Sequence, residues 1–207
     1  MRRSARLFQT AAIMAALALG AAAPQVQAAP ADPAAAQIDS FDSALVDTMK
    51  AGRSLGVQGR YQRLAPVVSR AFDIPTMIRF AVGAPWATMT PAQQAQLTDA
   101  FARLTTASYA HNFSSYSGQS IVVDPNVATR GPDKVVQTRI NSPGSAPVAI
   151  SYRMRQSGGA WKIIDVYYNG SISQLTTRRS DFAGPLAQGG APALLAHLNT
   201  LVDKQLK

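Results

Sequence analysis

The sequence predicts an α+β fold, a curved antiparallel sheet of about four strands packed against helices from both ends of the chain. Three observations carry this. Apolar residues keep a helical period as far as the Asn112–Gly118 region, switch to a period of two from Gln119, and return to the helical period after Gly170. The turn chemistry of Gln156-Ser157-Gly158-Gly159 joins two of the strand segments as a hairpin. Trp161-Lys162-Ile163-Ile164-Asp165-Val166-Tyr167-Tyr168 is the strongest strand signal, with large β-formers in both alternating sets, and it is expected to be central and covered on both faces.

The chain has 207 residues, which suits one ordinary domain. Met1 to Ala28 reads as a secretory leader: Arg2, Arg3 and Arg6 precede an apolar run from Leu7 to Ala23, and Val26-Gln27-Ala28 supplies a small-residue cleavage site. The expected organisation is a signal peptide over 1–28 and a single domain over 29–207, released outside the cytoplasm. No cysteine is present, which excludes disulfides, thiolate metal sites and a cysteine nucleophile. The formal charge is +9, or +6 once the three leader arginines are subtracted. Anionic lipid surfaces are partners of the right sign, whereas the scattered arginines and lack of interleaved aromatics argue against nucleic acid.

Ala29 to Gln37 is rich in Ala and Pro and is expected to be loose. From Ile38, the residues Phe41, Leu45, Val46 and Met49 mark a first helix ending near Gly52. A second follows Gly59 on the stripe Tyr61, Leu64, Ala65, Val68 and Phe72. Asp73 reads as the N-cap of a short third helix with Pro75 in its first turn, closed by Gly83. Thr90-Pro91-Ala92-Gln93 matches a capping box that opens a long fourth helix with Leu97, Phe101, Leu104, Ser108 and Tyr109 on one face. Four strands are then expected: Ser120–Val123, Lys134–Asn141, Pro147–Arg155 and Trp161–Tyr168. An even hairpin loop would place Val136, Ile140, Val148, Ile150, Tyr152, Ile163, Asp165 and Tyr167 inward, with Ser151, Arg153 and Ile164 on the opposite face. Ile172, Leu175, Phe182 and Leu186 start the C-terminal helices, which Gly189-Gly190 divides.

Facing this inward set from the helical side are Phe80, Trp86, Phe101 and Leu104, and the two sets form either a solid core or an apolar pocket. Asp165 is the single carboxylate inside an apolar run. It is either held by backbone and side-chain donors or, in a pocket, a general base of the ketosteroid-isomerase kind. His111 and His197 stand alone, without metal spacing. Arg178-Arg179 opens a basic patch to which Arg153, Arg155 and Lys162 could add.

The ordered motifs Phe72-Asp73-Ile74-Pro75-Thr76-Met77, Val82-Gly83, Trp86, Thr90-Pro91-Ala92-Gln93-Gln94 and Tyr109, followed by Pro147-Val148, Trp161 to Val166, Gly170 and Arg179-Ser180-Asp181-Phe182, span nearly the whole of 29–207. In these the sequence resembles the MlaC family of periplasmic phospholipid-binding proteins, also called the toluene-tolerance auxiliary family, and most closely its branch associated with hopanoid biosynthesis. After the central strand this chain has Asn169-Gly170-Ser171-Ile172, where the family usually begins with an acidic residue. The resemblance implies a non-enzymatic carrier, without metal or cofactor, that moves a phospholipid or hopanoid-type lipid between an inner-membrane ABC transporter complex and an outer-membrane lipoprotein complex. It also implies an enclosed apolar pocket, to which the inward residues above and Ile172 would contribute. A small periplasmic enzyme of cone-shaped fold using Asp165 is the alternative.

Overall fold

The computed structural model describes residues 32–207; the expected leader over 1–28 lies outside the described residues. Helix α1 runs Pro33–Lys50, with the Asp32 carboxylate accepting from Ala34 N at 2.8 Å and Pro33 at the first helical position. The helix thus begins before Ile38. Ala34 and Ala35 are buried in the core, so from Pro33 to Gln37 this Ala-rich stretch is not a loose linker: small side chains let the backbone approach its neighbours closely. Its residues 29–31 lie outside the described residues. Helix α2, Gly52–Ala71, also starts earlier than its apolar stripe suggested and bends at Gly56, whose φ of 62° interrupts it. Gly52 is required by proximity, because a Cβ there would lie 2.3 Å from the Ser114 carbonyl oxygen.

Helix α3, Ile74–Val82, has the expected Asp73 cap, which accepts from Thr76 N at 3.1 Å, and ends at Gly83. A 3-10 turn over Ala84–Thr88 leads to α4, Pro91–Asn112. Both capping-box bonds are made, Gln93 N to Thr90 Oγ1 at 3.2 Å and Thr90 N to Gln93 Oε1 at 2.9 Å.

The sheet is antiparallel and has six strands: β1 Ser120–Val123, β2 Ala128–Arg130, β3 Asp133–Asn141, β4 Val148–Ser157, β5 Ala160–Tyr168 and β6 Ile172–Ser173. Their order is β1-β3-β4-β5-β6, with β2 pairing the other half of the β3 edge that β1 occupies. Strands β2 and β6 are too short to show a period of two, and Ile172 belongs to β6 rather than to a helix. The second edge of β5 is occupied by β6 and by Phe72, which bridges to Ile163 while Asp73 N donates to the Ile163 carbonyl at 2.9 Å.

The β4–β5 hairpin has the expected even loop, Gly158 and Gly159 taking φ of 59° and 80° between paired Ser157 and Ala160. Further along, the register slips. Met154 pairs with Ile163 but Arg153 pairs with Asp165, leaving Ile164 as the extra residue of a β-bulge. A one-residue slip exchanges faces for everything beyond it. Val166 and Tyr168, opposite Tyr152 and Ile150, therefore face inward, while Asp165 and Tyr167, opposite Arg153 and Ser151, lie on the outer face. The expectation that Asp165 and Tyr167 point inward is corrected by this bulge.

Helix α5, Gln174–Gln205, breaks at Gly189 and Gly190 into arms over 174–188 and 191–205, the division expected from the sequence. Against the inner sheet face the helices build one core in which Phe41 is the hub. Its ring meets Phe72, Tyr109 and Tyr152 edge-on at 5.3, 5.2 and 6.2 Å.

Candidate functional site

A cavity of about 390 Å³ remains between the inner sheet face and the helices, within the size range of small-molecule sites. Helix α4 supplies Phe101, Leu104, Thr105, Ser108 and Asn112, one stripe at helical spacing, with Tyr109 and Phe113 beside it. The sheet supplies Ile140, Ile150, Tyr152, Val166 and Tyr168, and α5 supplies Gln174, Leu175, Arg178 and Gln205; Phe72 and Met77 complete the lining. Tyr168, Gln174 and Asn112 are exposed and mark the opening.

Of the residues the sequence nominated, Phe101, Leu104, Ile140, Ile150 and Tyr152 are brought together here. Seven lie elsewhere. Val136 and Ile163 are fully buried in the core, and Val148 and Trp86 pack against its margin. Phe80 and Ile172 are 36% and 53% exposed, and Tyr167 is on the other face of the sheet. The lining residues that sequence reasoning missed divide into two kinds. Asn112 was within reach, as the next turn of the stripe through Phe101, Leu104 and Ser108. Val166 and Tyr168 were hidden by the bulge, and Arg178 and Gln205 by the folding back of α5.

The wall behind the cavity holds a buried polar pair. The Tyr152 hydroxyl donates to Asp42 Oδ1 at 3.1 Å, while Asp42 Oδ2 has no partner and the residue is only 2% exposed. Burial pushes the Asp42 carboxyl up to about 7; the Tyr152 bond opposes this and the nearby Asp39 charge adds to it. Burial likewise pushes the Tyr109 and Tyr152 hydroxyls upward, so both stay neutral. Away from Arg178 and the few amide and hydroxyl groups of the lining, the cavity presents aromatic and aliphatic walls, which suit hydrocarbon.

Asp165 is not part of this cavity. Its Oδ1 accepts from Val166 N at 2.8 Å and Leu175 N at 3.1 Å, and its Oδ2 from the Ser173 hydroxyl at 2.7 Å. The carboxylate ties the bulge of β5 to β6 and the first turn of α5, a positioning role that leaves no oxygen directed at a substrate. The expected basic patch is also divided. Arg153 and Arg155 converge on the wholly buried Asp133 side chain, at 2.5 Å each, and hold its carboxyl below the usual range despite its burial. Lys162 shares their outer face, opposite Arg155, whereas Arg178 lines the cavity on the inner side. Among the described residues no group of three or more His, Cys, Asp or Glu side chains is placed to hold a metal ion.

The sequence profile of the MlaC protein family matches residues 39–200. The chain belongs to the MlaC family. MlaC proteins are periplasmic lipid-binding carriers rather than enzymes, and the position of Asp165 fits that. The toluene tolerance protein ttg2D of Pseudomonas putida is 29% identical over 102 residues, covering 49% of this chain and 46% of that protein. The chain therefore matches just under half the length of this curated relative. A phospholipid-binding protein from Ralstonia solanacearum, solved in complex with a phospholipid, superimposes with a TM-score of 0.74 at 25% identity, over 85% of this chain and 100% of that one. Among the described helices of this MlaC chain, none is long and apolar enough to cross a membrane.

Proposed function

We propose that this protein carries a phospholipid through the periplasm with its tails in the cavity between the inner sheet face and α4–α5. The observation that carries this reading is the cavity itself, walled by Phe101, Leu104, Ile140, Ile150, Tyr152 and Val166 in a protein of the MlaC family. Exposing an acyl chain to water costs about 0.8 kcal/mol per methylene, or roughly 11 kcal/mol for a chain of about fourteen. A soluble protein that encloses the chain removes most of that barrier to movement between membranes. In this reading a leader over 1–28 directs the chain to the periplasm. The donor and acceptor are an inner-membrane ABC transporter complex and an outer-membrane lipoprotein complex. The motif resemblance to the hopanoid-associated branch supports a hopanoid-type triterpenoid as a second cargo.

Filling the cavity tests the assignment. Val166 is half-buried on β5, packs against the margin of the core and lines the space, so V166W directs an indole into it. Uptake of fluorescent phospholipid from vesicles is expected to fall about tenfold or more, with the folded far-UV spectrum retained. Unchanged uptake by the folded variant would place the lipid elsewhere.

A further inference from the structure

Among the polar side chains of the lining, two buried ones are left without partners by the fold and a third carries a charge. The Ser108 hydroxyl on α4 and the Gln205 carboxamide oxygen at the end of α5 are both buried and lack hydrogen-bond partners, a condition that folded proteins avoid unless another group satisfies it. Arg178, one turn along α5 from the opening residue Gln174, lines the same cavity with its side chain 28% exposed. Its carboxylate neighbour, Asp181, is 3.6 Å away and 43% exposed, a loose surface pair rather than a neutralised one. Burial pushes the Arg178 guanidinium below its ordinary value, with the Asp181 charge acting against that. The break at Gly189 and Gly190 folds α5 back, so Gln205 lines the cavity together with Arg178, from the opposite end of the helix.

We propose that Arg178, Ser108 and Gln205 form a polar subsite in the cavity that holds the phosphate of a lipid and so selects phosphodiester lipids over neutral lipids with the same tails. The proposal rests on the carrier reading above and adds what that carrier selects. A guanidinium gives two parallel N–H donors to a phosphate, a geometry that a lysine does not offer. The Ser108 hydroxyl adds a third donor. The Gln205 oxygen is left to accept from a head-group hydroxyl or ammonium. The Phe, Leu, Ile and Val side chains of the lining take the tails, so the subsite fixes which end of the lipid sits near the opening.

Uptake from mixed vesicles containing equal amounts of phosphatidylglycerol and diacylglycerol with identical acyl chains, read by mass spectrometry of the reisolated protein, tests this. The wild-type protein is expected to prefer phosphatidylglycerol by about tenfold or more. R178M should bring phosphatidylglycerol uptake down toward the diacylglycerol level, with R178K restoring part of the difference. S108A, a change that leaves the charge in place, should reduce the preference by a smaller factor and serves if R178M does not fold. Equal uptake of both lipids by the wild type, or an undiminished preference in folded R178M or S108A, would overturn the subsite. Uptake of neither lipid would instead refute the carrier reading itself. Calorimetric titration with inorganic phosphate alone separates the two phosphate sources: no binding is expected without tails, and tight binding would assign Arg178 to a free anion instead of a lipid head group.

Discussion

Ile163→Glu is expected to leave no folded domain. The Ile163 side chain is fully buried beside Met154 and Phe72, and its carbonyl accepts the Asp73 N–H that joins α3 to the sheet. A carboxylate there has no donor and no space, so it must be desolvated at a cost of several kcal/mol or held protonated. That cost is comparable with the whole stability of a domain, about 5–15 kcal/mol. Circular dichroism and soluble yield are the measurements, and a cooperative melt near the wild-type temperature would show that Ile163 is not core. The same substitution at Ile150, on the cavity wall, supplies the contrast: water can enter the cavity with the carboxylate, so the fold should survive with lipid uptake lost.

The second large effect is a fall in stability as pH rises. An aspartate in an unfolded chain titrates near 3.8, whereas Asp42 in the folded protein titrates near 7. Between those values the folded state holds a proton that the unfolded state has released, so stability decreases with pH across this window and is flat above it. About three pKa units correspond to ~4 kcal/mol as an upper bound. Asp133 acts in the other direction: its carboxyl is lowered by Arg155 and Arg153, so its contribution is present above pH ~4 and lost on acidification below it. Greatest stability is therefore expected on the acid side of neutrality. Urea melts at pH 5 and pH 8 measure the difference, and Asp42→Asn, which keeps an acceptor for the Tyr152 hydroxyl, should abolish most of it. A pH-independent wild type, or an Asp42→Asn variant with the same pH slope, would contradict the assignment.

Local chemistry in the sequence identified the helices most reliably. The Thr90–Gln93 capping box, the Asp73 cap and the Gly189-Gly190 break are contacts or dihedrals within a few residues, and each is present as read. Where the signal depended on large apolar residues, boundaries moved: α1 begins at Pro33 because alanines pack there. The inner faces of β3 and β4 were legible because a period of two survives along them. On β5 it does not survive, and nothing marks the bulge, since its extra residue is Ile164, a strong strand former. That one insertion turned Tyr167 and Asp165 outward and brought Val166 and Tyr168 to the cavity. Asp165 was conspicuous in the sequence, but its partners are the Val166 and Leu175 N–H groups and the Ser173 hydroxyl, and two of these lie beyond the turn in β6 and α5, where strand alternation gives no guidance. Arg178 was read by charge alone; that it lines a cavity follows only from the packing of α5 against α4.

The central claim is that the inner cavity holds lipid, and the most direct measurement is organic-solvent extraction of the full chain purified from the periplasm, with lipid identified and quantified by mass spectrometry. Roughly one phospholipid per protein chain is expected on the carrier reading, and V166W prepared in parallel should yield little. Wild-type protein that comes out lipid-free and takes up none from phospholipid vesicles would contradict the account.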